Sequence, residues 1–198
     1  MPLHRPLLRP RHILVSTNGK LIAVPDVPII LQLIIELAVY EKEESSVLAT
    51  EESLLATLAF APSPIISSPS SHQTPSTGDT PSPSRPARAL LLFTPSGVAA
   101  GLALYFYNYS TWRSLPGIYL EDLYVKESER GNGYGGRLLG ELAKEVVEMG
   151  GGRLEWSVLK WNEPSIKFYE GVGAKAMSDW VGMRVEGKGL ENLAKKAI

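Results

Sequence analysis

The chain has 198 residues, 44% of them apolar, which is enough to bury the core of one domain with residues left for tails and insertions. Its formal net charge of −1 gives no reason to expect nucleic acid as the main partner, and the lack of cysteine excludes disulfides, thiolate metal sites and a cysteine nucleophile. The histidines, His4, His12 and His72, fall in segments that look peripheral, so we expect neither a metal site nor a histidine base.

Residues 1–25 are interpreted as an N-terminal extension. They contain basic residues and no acidic one, as transit peptides do, but Pro2, Pro6 and Pro10 oppose the amphipathic helix that an import signal needs. We therefore expect a cytoplasmic protein rather than an organellar one, and a nuclear location stays open.

Two helices are predicted in the part of the chain before residue 62. Val27–Tyr40 has helical apolar spacing with Asp26 as a candidate N-cap, and Glu51–Phe60 is predicted to form a second, shorter helix. The apolar part of the first helix is interrupted by Gln32 and Glu36 and is much shorter than the ~20 residues that cross a bilayer. We therefore expect a buried helix and no membrane partner.

Residues 62–86 consist mainly of Pro, Ser and Thr. Such a composition cannot bury enough apolar surface to offset the entropy of ordering the chain, so the segment is predicted to be a disordered insert. We expect a surface excursion that interrupts a single domain spanning residues 26–198, and that can be removed without loss of the fold.

Three strands are predicted after the insert. Ala89–Thr94 and Val98–Tyr107 are apolar and aromatic runs separated by Pro95-Ser96-Gly97, a pattern typical of an antiparallel hairpin. Ile118–Val125 is predicted as the third strand.

A long amphipathic helix is predicted over Arg137–Met149, because apolar residues recur there every four positions. Gly150-Gly151-Gly152 is expected to end this helix, and Leu154–Leu159 is predicted to be a further strand.

The last part of the chain is predicted to add one helix and two short strands. Asn162 is a candidate N-cap, with Pro164 in the first turn of the helix that follows. The strands are expected near Ala174 and over Val181–Val185. The order of elements predicts an α/β (α+β) fold with a mixed, mostly antiparallel central sheet flanked by helices.

A glycine cluster lies between the third strand and the long helix. It reads Arg130-Gly131-Asn132-Gly133-Tyr134-Gly135-Gly136. Glycine lets a ligand approach the backbone closely, and the N–H groups at a helix N-terminus attract anions. The cluster therefore predicts a site for an anion such as a pyrophosphate, with Arg130 supplying positive charge.

The same glycines satisfy the dinucleotide pattern G-x-G-x-x-G, and Glu155 lies 19 residues beyond Gly136, where a ribose-binding acid is wanted. In such a unit, however, the glycine turn closely follows the strand, whereas residues 126–130 intervene here, and too little chain remains for a second mononucleotide-binding half. A glycine-rich connection without a ligand stays open as an alternative.

Two strings that flank the cluster complete a family resemblance. They are Tyr119-Leu120-Glu121-Asp122-Leu123-Tyr124-Val125 before it and, after it, the string from Trp161 to Tyr169 (WNEPSIKFY) followed by Gly173-Ala174. Together with the glycine cluster they resemble the GNAT superfamily of N-acetyltransferases, and in particular the diamine (spermidine/spermine) acetyltransferases. The resemblance implies the GNAT fold, acetyl-CoA as co-substrate without a metal, a small amine as the other substrate, and a homodimer. The opening strand of the family is poorly matched by Leu21–Asp26.

The resemblance also implies a set of coenzyme-binding residues. They comprise the end of the third strand, the glycine cluster and one face of the helix after Asn162: Leu123, Tyr124, Val125, Arg130, Gly131, Asn132, Gly133, Tyr134, Gly135, Gly136, Asn162, Ser165 and Phe168. For Asn162 the role of helix cap ranks first.

Direct attack of a free amine on the thioester is the simplest chemistry for this chain. The resemblance implies that Tyr169 is the general acid that protonates the departing thiolate; the alternative is an ordinary half-buried tyrosine. Glu121 is our candidate for the base that takes the proton of the amine, with Asp122 beside it as a substrate ligand. Adjacent residues of a strand face opposite sides unless a bulge intervenes, and the resemblance implies a splayed strand here. The alternative for either carboxylate is a surface pair.

Further candidates for binding the amine are Glu41, at the head of an acidic run, and the aromatic residues Trp112 and Trp180. The acidic run is also typical of a solvated helix end, and the two tryptophans of a buried core.

Three functions therefore stand beside one another. The first is acetylation of a polyamine or related small amine, such as a lysine analogue. The second is acetylation of protein amines, for which the insert would be a docking loop. The third is coenzyme A binding without turnover, because binding glycines and catalytic residues are separable.

Overall fold

The computed structural model describes residues 24–60 and 80–197, which form two compact units, one ending at Ser157 and the other beginning at Val158. The three histidines and nearly all of the N-terminal extension lie outside the described residues. In chain order the α-helices and strands are α1 (Val27–Glu41), α2 (Glu51–Thr57), β1 (Arg88–Phe93), β2 (Ala99–Ser110), β3 (Leu115–Val125), α3 (Tyr134–Glu148), β4 (Leu154–Trp156), α4 (Glu163–Gly171) and α5 (Gly187–Ala194).

Helix α1 confirms the first predicted helix to within one residue. Asp26 occupies the N-cap position, as predicted, but it has a helical conformation and its side chain makes no capping hydrogen bond. The helix ends where Lys42 adopts a left-handed conformation with φ 65°, and the N–H of Glu43 donates to the Ala38 carbonyl at 2.9 Å.

Helix α2 is shorter than predicted. Thr50 and Ser53 form a reciprocal capping box at its start. It stops at Thr57 because Leu58 adopts an extended conformation and forms a parallel bridge with Ala87, which draws the chain towards the sheet.

The described chain resumes at Thr80, within the segment predicted to be disordered. Ser82 and Arg85 exchange backbone hydrogen bonds of 3.0 and 3.1 Å, and the guanidinium of Arg85 donates to the Leu58 carbonyl at 2.9 Å. These contacts fasten residues 82–85 beside the end of α2. The last part of the predicted insert is therefore folded, and residues 61–79 lie outside the described chain.

The sheet has four strands in the order β1-β2-β3-β4. The first three are antiparallel, and β4 pairs in parallel with β3 after the α3 crossover. The prediction of a mixed, mostly antiparallel sheet is therefore confirmed. The predicted hairpin between β1 and β2 is confirmed, and Gly97 has φ 85° in its turn, a conformation that glycine adopts at little cost.

Helices cover both faces of this sheet. Leu102 and Leu104 of β2 share the buried cluster of Ile30 and Leu33, which assigns one face to α1. Tyr105 points to the other face, where its hydroxyl reaches Glu145 of α3. Helix α3 begins three residues earlier than predicted, and its buried stripe consists of Tyr134, Leu138, Leu139, Leu142 and Val146.

The second unit differs from the prediction after α4. The strands expected near Ala174 and over Val181–Val185 are wrong: those residues have no strand pairing, and Val181 and Met183 are 81% and 89% exposed. Alternation of apolar residues cannot make a strand without a partner that completes its hydrogen bonds. Helix α5 was not predicted, because Gly187 and Gly189 give its first turn a low helix propensity.

Of the helices within residues 24–60 and 80–197, none combines the length and the apolar content that a membrane crossing needs.

Candidate active site

A β-bulge interrupts strand β3 at the predicted carboxylate pair. Leu120 lies opposite Tyr105 and Asp122 lies opposite Leu104, so Glu121 is an extra residue without a partner on β2. Directly opposed residues share a face, so Leu120 points towards α3 and Asp122 towards α1. Regular alternation would have placed Leu120 and Asp122 on the same face. The bulge required to bring the two carboxylates together is therefore present.

Three carboxylates meet at this bulge. Burial, followed by the nearby charges of Glu121 and Glu41, raises the pKa of Asp122 to about 6. Burial also raises the pKa of Glu41, the last residue of α1. Glu121 itself is exposed. The end of α1 and the bulge of β3 thus form an acidic cluster, in which Asp122 is the carboxylate best able to exchange a proton near neutral pH.

The main chain after the bulge presents two amides at an open edge. The N–H of Lys126 donates to the Ala100 carbonyl at 2.9 Å, and hydrogen bonding alternates along an antiparallel pair, so the N–H groups of Leu123 and Val125 point away from β2. On that side β4 pairs with Ile118–Leu120 and no further along β3. Within the first unit, these amides are therefore available to polarise a carbonyl group, as an oxyanion hole does.

The glycine cluster opens at the end of the same strand. Gly131 and Gly133 have φ 84° and 77°, and Gly133 occupies the N-cap of α3 without a side chain to bond the first amides of the helix. A Cβ added at Gly131, Gly133 or Gly136 would meet nothing within 4 Å. The positive end of a 15-residue helix thus faces open space, which fits the predicted binding of a diphosphate.

Arg130 and Asn132 are held in place within this loop. The Arg130 Nε donates to the Val125 carbonyl at 3.2 Å, and its Cζ lies 4.6 Å from the centroid of the Tyr40 ring. The amide nitrogen of Asn132 donates to the Glu129 carbonyl at 3.1 Å. A positive charge is therefore anchored beside the glycines.

The side chain of Tyr124 points away from the open edge. It is 8% exposed and belongs to the cluster packed under α1. Burial, and then the charge of Glu36 on α1, raise the pKa of its hydroxyl, which is also hydrogen-bonded to Glu36. Tyr124 was predicted to bind the coenzyme; because its side chain is used in this way, only its main chain is left for that role. The side chain of Tyr134 is likewise buried, at the start of α3.

In the second unit, Asn162 caps α4 as predicted. It is 5% exposed, and its Oδ1 accepts the N–H of Ser165 at 3.3 Å. Later on the same helix the rings of Phe168 and Tyr169 lie 5.3 Å apart, and Tyr169 is half-buried. Trp180 is 68% exposed.

Trp112 lies in the turn between β2 and β3 and is 90% exposed. The alternative that Trp112 and Trp180 are buried core aromatics is therefore wrong for both.

Sequence reasoning missed the residues that tie α1 to the site. Glu36 accepts hydrogen bonds from Gln32 at 2.9 Å and from Lys126 at 3.0 Å. The ring of Tyr40 makes a cation–π contact with the guanidinium of Arg130. The available signal was weak: Glu36 appeared only as a polar interruption of an apolar helix. Among the described residues, no group of three or more His, Asp or Glu side chains could hold a metal ion.

The chain is similar to known proteins in sequence and in structure. The family profile described as "Acetyltransferase (GNAT) family" matches residues 54–174. The chain is 33% identical to an L-ornithine N5-acetyltransferase from Arabidopsis thaliana over 198 aligned positions, which cover 87% of this chain and 86% of that protein. It is also 33% identical to a thialysine N-epsilon-acetyltransferase from Bos taurus, covering 84% of this chain and 91% of that protein. Among solved structures, an integron cassette protein from the mobile metagenome of V. cholerae is 25% identical, with a TM-score of 0.65 over 89% of this chain and 96% of that one.

Proposed function

The chain belongs to the GNAT family of N-acetyltransferases, and we propose that it transfers the acetyl group of acetyl-CoA to a primary amine of a small molecule that carries a second positive charge. A polyamine or a basic amino acid meets that description. The observation that carries the proposal is the bulge at Glu121, because it places an acidic cluster at the strand that also ends in the anion-binding loop.

In the proposed reaction the amine nitrogen attacks the carbonyl carbon of the thioester directly. The N–H groups of Leu123 and Val125 stabilise the oxyanion that develops on the acetyl oxygen. The loop from Arg130 to Gly136 holds the diphosphate, so the thioester stays in register with these amides. When the tetrahedral intermediate collapses, the C–S bond breaks and the products are an amide and the thiol of coenzyme A.

Two proton transfers complete this reaction. A protonated amine cannot attack, and we assign the removal of its proton to the carboxylate of Asp122, because its pKa of about 6 is closer to neutrality than that of an ordinary aspartate. Glu121, our base candidate from the sequence, is exposed and would instead hold the second ammonium group of the acceptor together with Glu41. Tyr169 gives its phenolic proton to the departing thiolate, a role that rests on the family resemblance.

The choice of acceptor follows from charge. The clustered carboxylates of Glu41, Glu121 and Asp122 favour a dication over a monocation, because a second ammonium group neutralises more of the like charge that is gathered there, and burial penalises the charges of Asp122 and Glu41. The relatives named above act on ornithine and on thialysine, both of which are basic amino acids.

The test is a panel of amines incubated with acetyl-CoA while free thiol is measured. Spermidine, ornithine and thialysine should be acetylated, and butylamine, which lacks a second charge, should have a kcat/KM at least about tenfold lower. Equal rates with butylamine and the diamines would refute the proposed role of the acidic cluster. Thermal stabilisation by acetyl-CoA without thiol release from any amine would favour the alternative of a coenzyme A-binding module.

Acetylation of protein amines remains the second candidate. Removing residues 62–79 separates it from the first, and the deletion keeps residues 80–86 because Arg85 bonds to the end of α2. Intact small-amine turnover with loss of protein acetylation would favour the protein substrate.

We also propose that the chain forms a homodimer, as the family resemblance implies. In support, Met177, Trp180, Val181 and Met183 of the second unit are each more than 60% exposed in the single chain, which is unusual for a run of large apolar side chains. Light scattering on the purified protein gives the mass that checks this.

A further inference from the structure

Tyr40 occupies the last turn of α1, directly before Glu41 of the acidic cluster. Its ring is partly buried against the core cluster that includes Leu104 and Tyr124, so its orientation is fixed by packing. The guanidinium carbon of Arg130 lies 4.6 Å from the centroid of this ring. A rigid aromatic face is therefore in place under the arginine of the anion-binding loop.

A second contact fixes the same guanidinium from another direction. Its Nε donates to the Val125 carbonyl at 3.2 Å. Neither the ring contact nor this hydrogen bond uses the two terminal nitrogens, which are the pair that binds two phosphate oxygens at once. Arg130 is thus oriented without losing the groups that a diphosphate needs.

The helix that carries Tyr40 is itself braced against the strand end. Lys126, which follows β3, forms an ion pair of 3.0 Å with Glu36 of α1, one turn before Tyr40. Lys126 and Arg130 belong to the same connection between β3 and α3. The ion pair between Lys126 and Glu36 therefore fixes the position of the Tyr40 ring relative to this connection.

We propose that Tyr40 is a positioning residue for the donor substrate: its ring holds the guanidinium of Arg130 in the orientation that binds the diphosphate of acetyl-CoA. A long arginine side chain loses rotamer freedom when it binds an anion, and prior orientation removes most of that loss from the binding step. The inference rests on the proposed function, in which the loop from Arg130 to Gly136 binds this diphosphate.

The test compares Tyr40→Leu with Tyr40→Phe, which keeps the ring. With spermidine saturating, Tyr40→Leu should raise the KM for acetyl-CoA about five- to tenfold and change kcat less than about twofold, because the cation–π contact acts on binding alone. Tyr40→Phe should restore a KM within about twofold of wild type. Both variants should keep the wild-type circular dichroism spectrum.

A truncated donor separates positioning from a general structural role. S-acetylpantetheine carries the thioester but lacks the diphosphate, so Tyr40→Leu should use it as well as wild type does. In an Arg130→Ala background, Tyr40→Leu should add no further loss with acetyl-CoA, because the group it orients is gone.

Equal losses in the Leu and Phe variants, or the same loss with the truncated donor, would overturn the inference. An additive loss in the Arg130→Ala background would do so as well. If wild type fails to bind acetyl-CoA, the proposed function fails together with this inference. If wild type and Tyr40→Leu bind acetyl-CoA equally well, the inference fails alone.

Discussion

Two carboxylate sites lie on opposite faces of the same sheet, and their oxygens have different partners. On the α3 face, Glu145 accepts the hydroxyl groups of Tyr105, at 2.7 Å, and of Tyr107, and Arg88 lies 3.8 Å away. On the α1 face, the pKa of Asp122 is raised by burial and by the charges of two further carboxylates. A carboxylate with donors on both oxygens fastens elements together, whereas one buried beside like charges is ready to take a proton.

The two tyrosines beside Glu145, Tyr105 and Tyr107, have a structural role. Burial and the bond to Glu145 raise the pKa of Tyr107 to about 12 and shift that of Tyr105 in the same direction, so both phenols hold their protons firmly and serve as structural donors. The comparison therefore divides the chain into residues whose loss should cost activity and residues whose loss should cost stability.

The largest effect should come from Asp122→Asn. Loss of the base should lower kcat/KM with spermidine by about 10²- to 10³-fold. The folded chain holds the proton of Asp122 at a pKa of about 6, above the ordinary value of 3.8, so this residue destabilises the fold as pH rises through that interval and at every higher pH. The variant should therefore melt above wild type at pH 8, and by a smaller margin towards pH 4. A melting temperature that falls at pH 8 would place Asp122 among the structural residues.

Tyr169→Phe should follow, with kcat lower by about 10²-fold or more at saturating substrates, because the thiolate would leave without its proton. The matched control is Tyr107→Phe, which removes a phenol that is hydrogen-bonded to Glu145 and should leave kcat unchanged. Full turnover of the Tyr169 variant would assign that residue to packing.

Glu145→Gln should lower stability and leave activity nearly unchanged. It weakens the bonds to two tyrosines and the ion pair with Arg88, so the free energy of unfolding should fall by about 2 kcal/mol while kcat/KM stays within about twofold of wild type. Urea denaturation measures the first quantity and thiol release the second. A loss of activity without a loss of stability would contradict the assignment of Glu145 to stability and of Asp122 to activity.

The pH profile should register the raised pKa of Asp122. Only the ionised carboxylate can take the proton of the amine, so log kcat/KM should rise with a slope of about 1 below pH 6 and level off above it. Glu41→Gln removes one of the charges that raise this pKa, and should move the break to lower pH. A single slope across the whole range would show that Asp122 is not the base.

The smallest effect should come from Asn162→Ala. The variant loses the hydrogen bond to the Ser165 amide, at a cost of about 1 kcal/mol of stability. Asn162→Asp keeps the capping oxygen and should retain wild-type stability. If Asn162 also touches the coenzyme, the KM for acetyl-CoA will rise in the alanine variant.

Elements with local signals could be predicted from the sequence. The repeat of apolar residues every four positions indicated α3, and Pro95-Ser96-Gly97 marked the turn between β1 and β2. Asn162 and Pro164 marked the start of α4. Each of these signals works because helix caps and turns are satisfied by residues within a few positions along the chain. The same limit explains the error at Val181–Val185, where no local pattern distinguishes a strand from an extended segment. Helix α5 was missed because Gly187 and Gly189 lower the helix propensity of its first turn.

The sequence by itself determined the glycine loop and the pair Glu121-Asp122, because both are contained in short contiguous strings. Only the tertiary structure decided that a bulge turns Asp122 towards α1, that burial and the neighbouring carboxylates then raise its pKa, and that Tyr40 supports Arg130 from 90 residues away. Side-chain direction in a strand depends on the register with its neighbour, and the pKa of a carboxylate depends on burial and on nearby charges. Neither quantity exists until distant segments have packed together.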